Sequence, residues 1–238
     1  MMSTEFANYN EIILDAFLNI KKQQEVAQKK KEILDDVLDF YEIHPTSYLF
    51  VGYSPCIELF SGRIAVTEVS AKTTEYLAQQ GIECRELKSI KPQEFDVVIA
   101  VDEYLTFASN DEDQQHLIKQ LVNCANRCVI TTLRDYKNQD FKNREFSIPV
   151  ALRGITRKIY LEHYDYDLQD RNASQCVNYV IDDASCDQIG PFARRNLFFK
   201  QLAKFSLDAG ARNFVIHKNL MYKSLIKKNY EHIITIML

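Results

Sequence analysis

The sequence predicts a doubly wound α/β fold built on a mostly parallel sheet, and three features point there. Strand-like and helix-like segments alternate from Ser47 to Leu133. Two of the strand-like segments, "FDVVIAV" and "CVITTL", are near-continuous apolar runs, as strands covered on both faces require. The stretches between strands hold helical patterns, which is how parallel strands are joined. A chain of 238 residues is long enough to bury a full core as one domain with appendages.

From Asn10 to Tyr41 the apolar residues Ile13, Phe17 and Ile20, then Ile33, Val37 and Tyr41, recur at three- and four-residue steps, which marks helical faces. The polar run "KKQQEVAQKKKE" is either the exposed part of one long helix or the joint between two. His44-Pro45 ends the segment, because a residue before proline is pushed out of the α region. Then follow the strand "SYLFVG", a very short helix "PCIELFS", the strand "RIAVTEVS" and the helix "AKTTEYLAQQG". That helix has Ser70 where an N-cap belongs and Gly81 where a C-terminal glycine belongs. "IECREL", "FDVVIAVD" and "RCVITTL" are strands, with "NDEDQQHLIKQLVNCAN" a helix before the last of them.

Beyond Leu133 a polar segment containing Pro149 leads to "TRKIYLEHYDYD" and "QCVNYVIDD", two strands of a terminal antiparallel hairpin. The remainder reads as helix "PFARRNLFFKQLAKFSLDAG", strand "RNFVIH", helix "KNLMYKSLIKKN" and strand "HIITIML". The expected organisation is therefore an N-terminal helical segment (1–44), an α/β domain (45–185) and a basic C-terminal α/β extension (186–238) packed on the same domain.

Composition narrows the function classes. No window approaches the ~18 uninterrupted apolar residues of a membrane span. Glu5, Glu11 and Asp15 stand where an export signal carries positive charge, so a cytoplasmic protein with no membrane partner is expected. The six cysteines form no CxxC pair and lie in strand-like and helix-like segments, so they are expected to be reduced and mostly packed. His116, His163, His217 and His232 share no spacing that brings two together. His163, Asp165 and Asp167 fall on one side of a strand only if that side is exposed, and no metal site is expected.

The order of elements from about Ile33 to Asp183, five strand and helix units followed by a hairpin, resembles the Rossmann-like fold of class I S-adenosylmethionine (SAM)-dependent methyltransferases. In that family the first strand ends in a glycine-rich loop beneath the cofactor, an acid ending the second strand binds the ribose hydroxyls, and residues after the fourth strand reach substrate. Gly52 matches the first loop glycine, while Ser54 and Cys56 stand where later glycines are usual and Phe50 replaces an acid two positions before it. Glu68 closes "RIAVTE" 16 positions after Gly52, so the helix between must lose about a turn relative to the roughly 20-residue spacing usual there. The resemblance implies a SAM site on Gly52, Tyr53, Ser54 and Glu68.

It also implies an acceptor site at "AVDEYLTF", where Asp102 orients the acceptor, Glu103 takes a proton, and Tyr104 or Phe107 stacks on a base. Amino-directed DNA methyltransferases carry two prolines where Glu103 and Tyr104 stand here. The reading implied is methyl transfer to an unidentified acceptor, nucleic acid or protein. The alternative is a methyltransferase-shaped subunit of a larger complex that has lost its chemistry with its loop glycines. A nucleic acid or protein partner is expected on the basic extension, where Arg194, Arg195, Lys200, Lys204, Arg212, Lys218, Lys223, Lys227 and Lys228 are interleaved with Phe198, Phe199, Phe205, Tyr222 and Tyr230. Helical spacing gives these aromatics a second account as core-facing stripes.

Overall fold

A computed structural model describes residues 4–19, 21–100, 104–134, 144–146, 150–151, 159–166, 173–217 and 231–238. Two helices come first, α1 (Thr4–Asn19) and α2 (Lys21–Phe40), and the charged run 21–32 lies within α2. Ile20 lies outside the described residues. The chain then enters β1 (Ser47–Val51), in which Tyr48 to Val51 are all buried, and such a strand needs neighbours on both edges and cover on both faces.

Those neighbours follow in order: β2 (Arg63–Thr67), α3 (Ala71–Gln79), β3 (Glu83–Arg85), β4 (Phe95–Ala100), α4 (Asp111–Cys124) and β5 (Ala125–Arg134). As its sequence signals require, α3 starts at Ser70, whose hydroxyl accepts the Thr73 N–H at 3.2 Å, and stops before Gly81 at φ +73°. The expected helix at "PCIELFS" is a single 3₁₀ turn, Ile57–Leu59. Its brevity accounts for the short spacing from Gly52 to Glu68.

After β5 the chain builds a second sheet from β6 (Arg144–Phe146), β7 (Val150–Ala151), β8 (Ile159–Tyr166), β9 (Ala173–Ile181) and β10 (Cys186–Arg195). The expected hairpin is present as β8 and β9, antiparallel from Ile159↔Ile181 to Tyr166↔Ser174. The helix expected from Pro191 begins only at Phe199. Residues up to Arg195 instead pair with β9, across a bulge between Ile189 and Phe192. Pro191 is tolerated because β10 is an edge strand, where a missing N–H costs no ladder bond.

Helix α5 (Phe199–Asp208) and strands β11 (Asn213–His217) and β12 (Glu231–Met237) complete the chain. The segment "KNLMYKSLIKKN" lies outside the described residues. The main sheet has seven strands in the order β11-β12-β5-β4-β1-β2-β3. Pairings from β3 through β5 are parallel, whereas β12 is antiparallel to both β5 and β11. The fold is thus the doubly wound, mostly parallel α/β sheet that the sequence predicts.

Period-two alternation sends the strand side chains to two cores. Leu49, Val51 and Val98 pack with Ile118 and Leu121 of α4, Leu202 of α5 and Phe6 of α1. Tyr48, Phe50, Val97 and Ile99 pack with Leu34 and Val37 of α2 and Leu77 of α3. Burial pushes the Cys124 thiol up to about 11 and the Cys128 thiol up to about 12, which leaves both protonated and unreactive at neutral pH. Among the described residues no helix is long and apolar enough to cross a membrane.

Candidate functional site

Parallel strands of an open sheet leave a crevice at their carboxyl ends, and this edge is where ligands bind in such folds. Here the register Val51↔Thr67 sets Gly52 beside Glu68, and the Gly52 N–H donates to the Thr67 carbonyl at 2.8 Å. Both residues leave their strands in the left-handed region, Gly52 at φ +83° and Glu68 at φ +63°. A glutamate there is uncommon, because its Cβ meets its own backbone, and such strain gathers at functional edges.

Glu68 lines a cavity of about 370 Å³, together with Leu87 after β3, Tyr104 and Phe107 after β4, and His116 and Leu117 of α4. This volume falls within the ~300–1,000 Å³ of small-molecule sites. Burial raises the Glu68 pKa above the ordinary carboxylate value, while the Leu87 N–H, donating to the carboxylate, acts the other way. Tyr104 is fully buried, and its hydroxyl has no hydrogen-bond partner among the described residues. Burial, and after it the negative charge of Glu68, drives the Tyr104 pKa well above its ordinary value, so the phenol keeps its proton. An acceptor-only carboxylate and an unsatisfied phenol on one cavity suit a ligand bearing adjacent hydroxyls, and Leu87 and Phe107 offer apolar walls to a flat ring.

The Gly52 end of the crevice is covered by the protein itself. A Cβ on Gly52 would lie 2.5 Å from Cζ of Phe6 and 3.0 Å from Oδ1 of Asn10, both on α1. Asn10, 1% exposed, accepts the Tyr53 N–H on Oδ1 at 2.5 Å, and its Nδ2 donates to the Phe6 carbonyl at 2.7 Å. The Phe6 ring, 2% exposed, stands edge-on to Tyr104 at 4.7 Å and to Phe107 at 4.8 Å. One turn on, Tyr9 meets Phe107 at 5.3 Å and Phe192 of β10 at 6.0 Å. Arg194 of β10 lays its guanidinium 3.5 Å above Phe107 and 4.9 Å from Tyr9, and its Nη1 donates to the Thr106 hydroxyl at 2.9 Å.

The structure thus brings Glu68 and Tyr104 together at the cavity and places Gly52, Tyr53 and Ser54 beneath α1, all three buried. Asp102 and Glu103 lie outside the described residues. Of the basic stretch, Arg194 is buried, Arg195 donates to Asp111 at the start of α4 at 2.9 Å, and Lys200, Lys204 and Arg212 are exposed. Lys218, Lys223, Lys227 and Lys228 lie outside the described residues. Phe6, Asn10 and Leu87 were not foreseen as site residues. Phe6 and Asn10 lie four apart on one helical face, the only trace they leave in the sequence.

No family model matches the sequence, and no curated protein matches it. Solved structures do. DesVI from Streptomyces venezuelae superposes with a TM-score of 0.71 at 13% identity, covering 95% of this chain and 97% of that one. The CcbJ methyltransferase from Streptomyces caelestis gives 0.63 at 13% identity over 89% of this chain and 95% of its own. The sugar N-methyltransferase KedS8 from Streptoalloteichus sp. ATCC 53650 gives 0.60 at 8% identity over 98% and 88%. Identities this low speak to architecture alone: the chain has the class I SAM-dependent methyltransferase fold.

Proposed function

We propose that the protein is a SAM-dependent methyltransferase acting on a small-molecule acceptor. One observation carries the reading: a half-buried carboxylate, Glu68, and a buried hydroxyl without a partner among the described residues, Tyr104, line the same cavity at the carboxyl edge of the parallel strands. This donor set fits an adenosyl group. Glu68 accepts the two ribose hydroxyls, Tyr104 donates to the sugar, and Leu87 and Phe107 flank the base.

When bound, SAM supplies the electrophilic methyl group. The chain's own residues have three tasks: to hold the adenosyl end, to exclude water and to aim an acceptor. The buried Tyr104–Phe107 turn walls the crevice and serves the second task. Asp102 and Glu103 directly precede that turn, and we assign them the third, with Asp102 orienting the acceptor and Glu103 accepting its proton. A small acceptor is favoured by the likeness to a sugar N-methyltransferase and by the engagement of Arg194 and Arg195 within the protein, which leaves fewer cations for phosphates. Salt-sensitive retention of RNA or DNA on filters would move the acceptor to nucleic acid.

Calorimetric titration with S-adenosylhomocysteine (SAH) and with SAM tests the proposal. Saturable heat with either ligand is expected; no heat at millimolar ligand from the native protein and from variants lacking the Phe6 and Asn10 side chains would overturn it. A second reading, a noncatalytic subunit, draws on Phe6 and Asn10 filling the space above Gly52. It gains if no ligand binds either the native protein or variants lacking those side chains.

A further inference from the structure

We infer that α1 is an intramolecular plug, in which Phe6 and Asn10 occupy the part of the crevice that the non-adenosyl end of the cofactor must enter. The inference rests on the adenosyl-binding reading above and adds a form of autoinhibition to it. A glycine at positive φ with no room for a Cβ marks a place where something approaches the backbone closely. Here the approaching group is the Phe6 ring, 2.5 Å from where that Cβ would be. The next backbone donor, the Tyr53 N–H, is taken by the Asn10 amide oxygen. That oxygen has the acceptor character of a ligand carboxylate and is held in aim by its own Nδ2 on the Phe6 carbonyl.

The plug is tied to the far wall as well. Tyr9, on the same face of α1, packs on Phe192 and lies beside Arg194. Withdrawal of α1 therefore frees the turn at Gly52 and at the same time uncovers the Phe107, Phe192 and Arg194 surface of the second sheet. A ligand that spans only Glu68 to Leu87 leaves α1 in place. One that extends over Gly52 must displace it, and its apparent affinity is reduced by the fraction of molecules in which α1 is withdrawn.

Full-length Phe6→Ala, Asn10→Ala and the double variant, titrated with adenosine and with SAH, test this. SAH is expected to bind the double variant at least about tenfold more tightly than the native protein, with adenosine changed less than about twofold. Equal or weaker SAH binding to the variants, with adenosine binding intact, would overturn the plug and leave the adenosyl site standing. If neither ligand binds any variant, the adenosyl-binding reading fails, and the plug is then judged by stability alone. Gly52→Ala is expected to lower the melting temperature more in the native background than in Phe6→Ala, where the colliding ring is gone; equal losses in both backgrounds would exclude the contact. Should Phe6→Ala not fold, Phe6→Leu takes its place in both experiments.

Discussion

Glu68→Gln removes the charge from the centre of the proposed site and keeps its shape. A hydrogen bond to a charged group contributes about 1.5–3 kcal/mol, and a ribose offers Glu68 two of them. The amide retains one acceptor oxygen, and the half-exposed position screens the charge, so the loss falls at the low end, about 2 kcal/mol or roughly 30-fold in SAH affinity. Glutamine meets the same left-handed backbone as glutamate, so the melting temperature is expected to change little. The pH dependence has a definite sign. Burial raises the Glu68 pKa in the free protein, so the neutral form appears at a pH above the ordinary glutamate value of about 4.3. Ribose hydroxyls donate to the charged form, so binding is at full strength above that raised pKa and is lost as pH falls through it. Calorimetry from neutral pH downward is expected to follow that loss in the native protein and to give a flat profile in Glu68→Gln. SAH affinity unchanged within about twofold by the substitution would refute the assignment of Glu68.

Three further outcomes follow from other contacts. Tyr104→Phe removes a buried hydroxyl without a partner among the described residues; it is expected to raise stability in urea by about 1 kcal/mol while weakening SAH about fivefold. Glu94 is held down to about 2 by the Lys91 N–H and by Arg63 and Arg85, at 2.7 and 2.5 Å. Its folded pKa lies below its unfolded one, so its stabilisation is complete above about pH 4.3 and is lost as pH falls toward 2, and Glu94→Gln is expected to flatten that limb of acid unfolding. Arg194→Lys keeps the charge but loses the planar stack on Phe107 and is expected to cost about 1–2 kcal/mol in urea unfolding, whereas an Arg194 in solvent would tolerate lysine freely.

Much of the fold is legible in the sequence because strand and helix periods are local. The runs at Tyr48–Val51 and Phe95–Ala100 announce strands buried on both faces, and Ser70 and Gly81 bound their helix as their chemistry requires. The misread element is β10, where "PFARR" joins a helical pattern in one dimension. Its alternation of buried Phe192 and Arg194 with exposed Ala193 is the signal that separates it, and Pro191 fits because the strand is an edge. At the site, Glu68 is legible from its place at a strand end. What lies over Gly52 is not, because Phe6 and Asn10 come from a helix more than forty residues earlier, and no local pattern records which surface a helical face will meet. Arg194 is hidden for a similar reason: a cation reads as a solvated residue until two aromatic rings and a hydroxyl enclose it.

The most direct measurement is a crystal structure of the protein with SAH. In that complex the ribose hydroxyls are expected on the Glu68 carboxylate, the base beside Leu87, and the Phe6 ring displaced from above Gly52. SAH bound elsewhere, or bound in this crevice with Glu68 turned away from the sugar, would contradict the proposed adenosyl site.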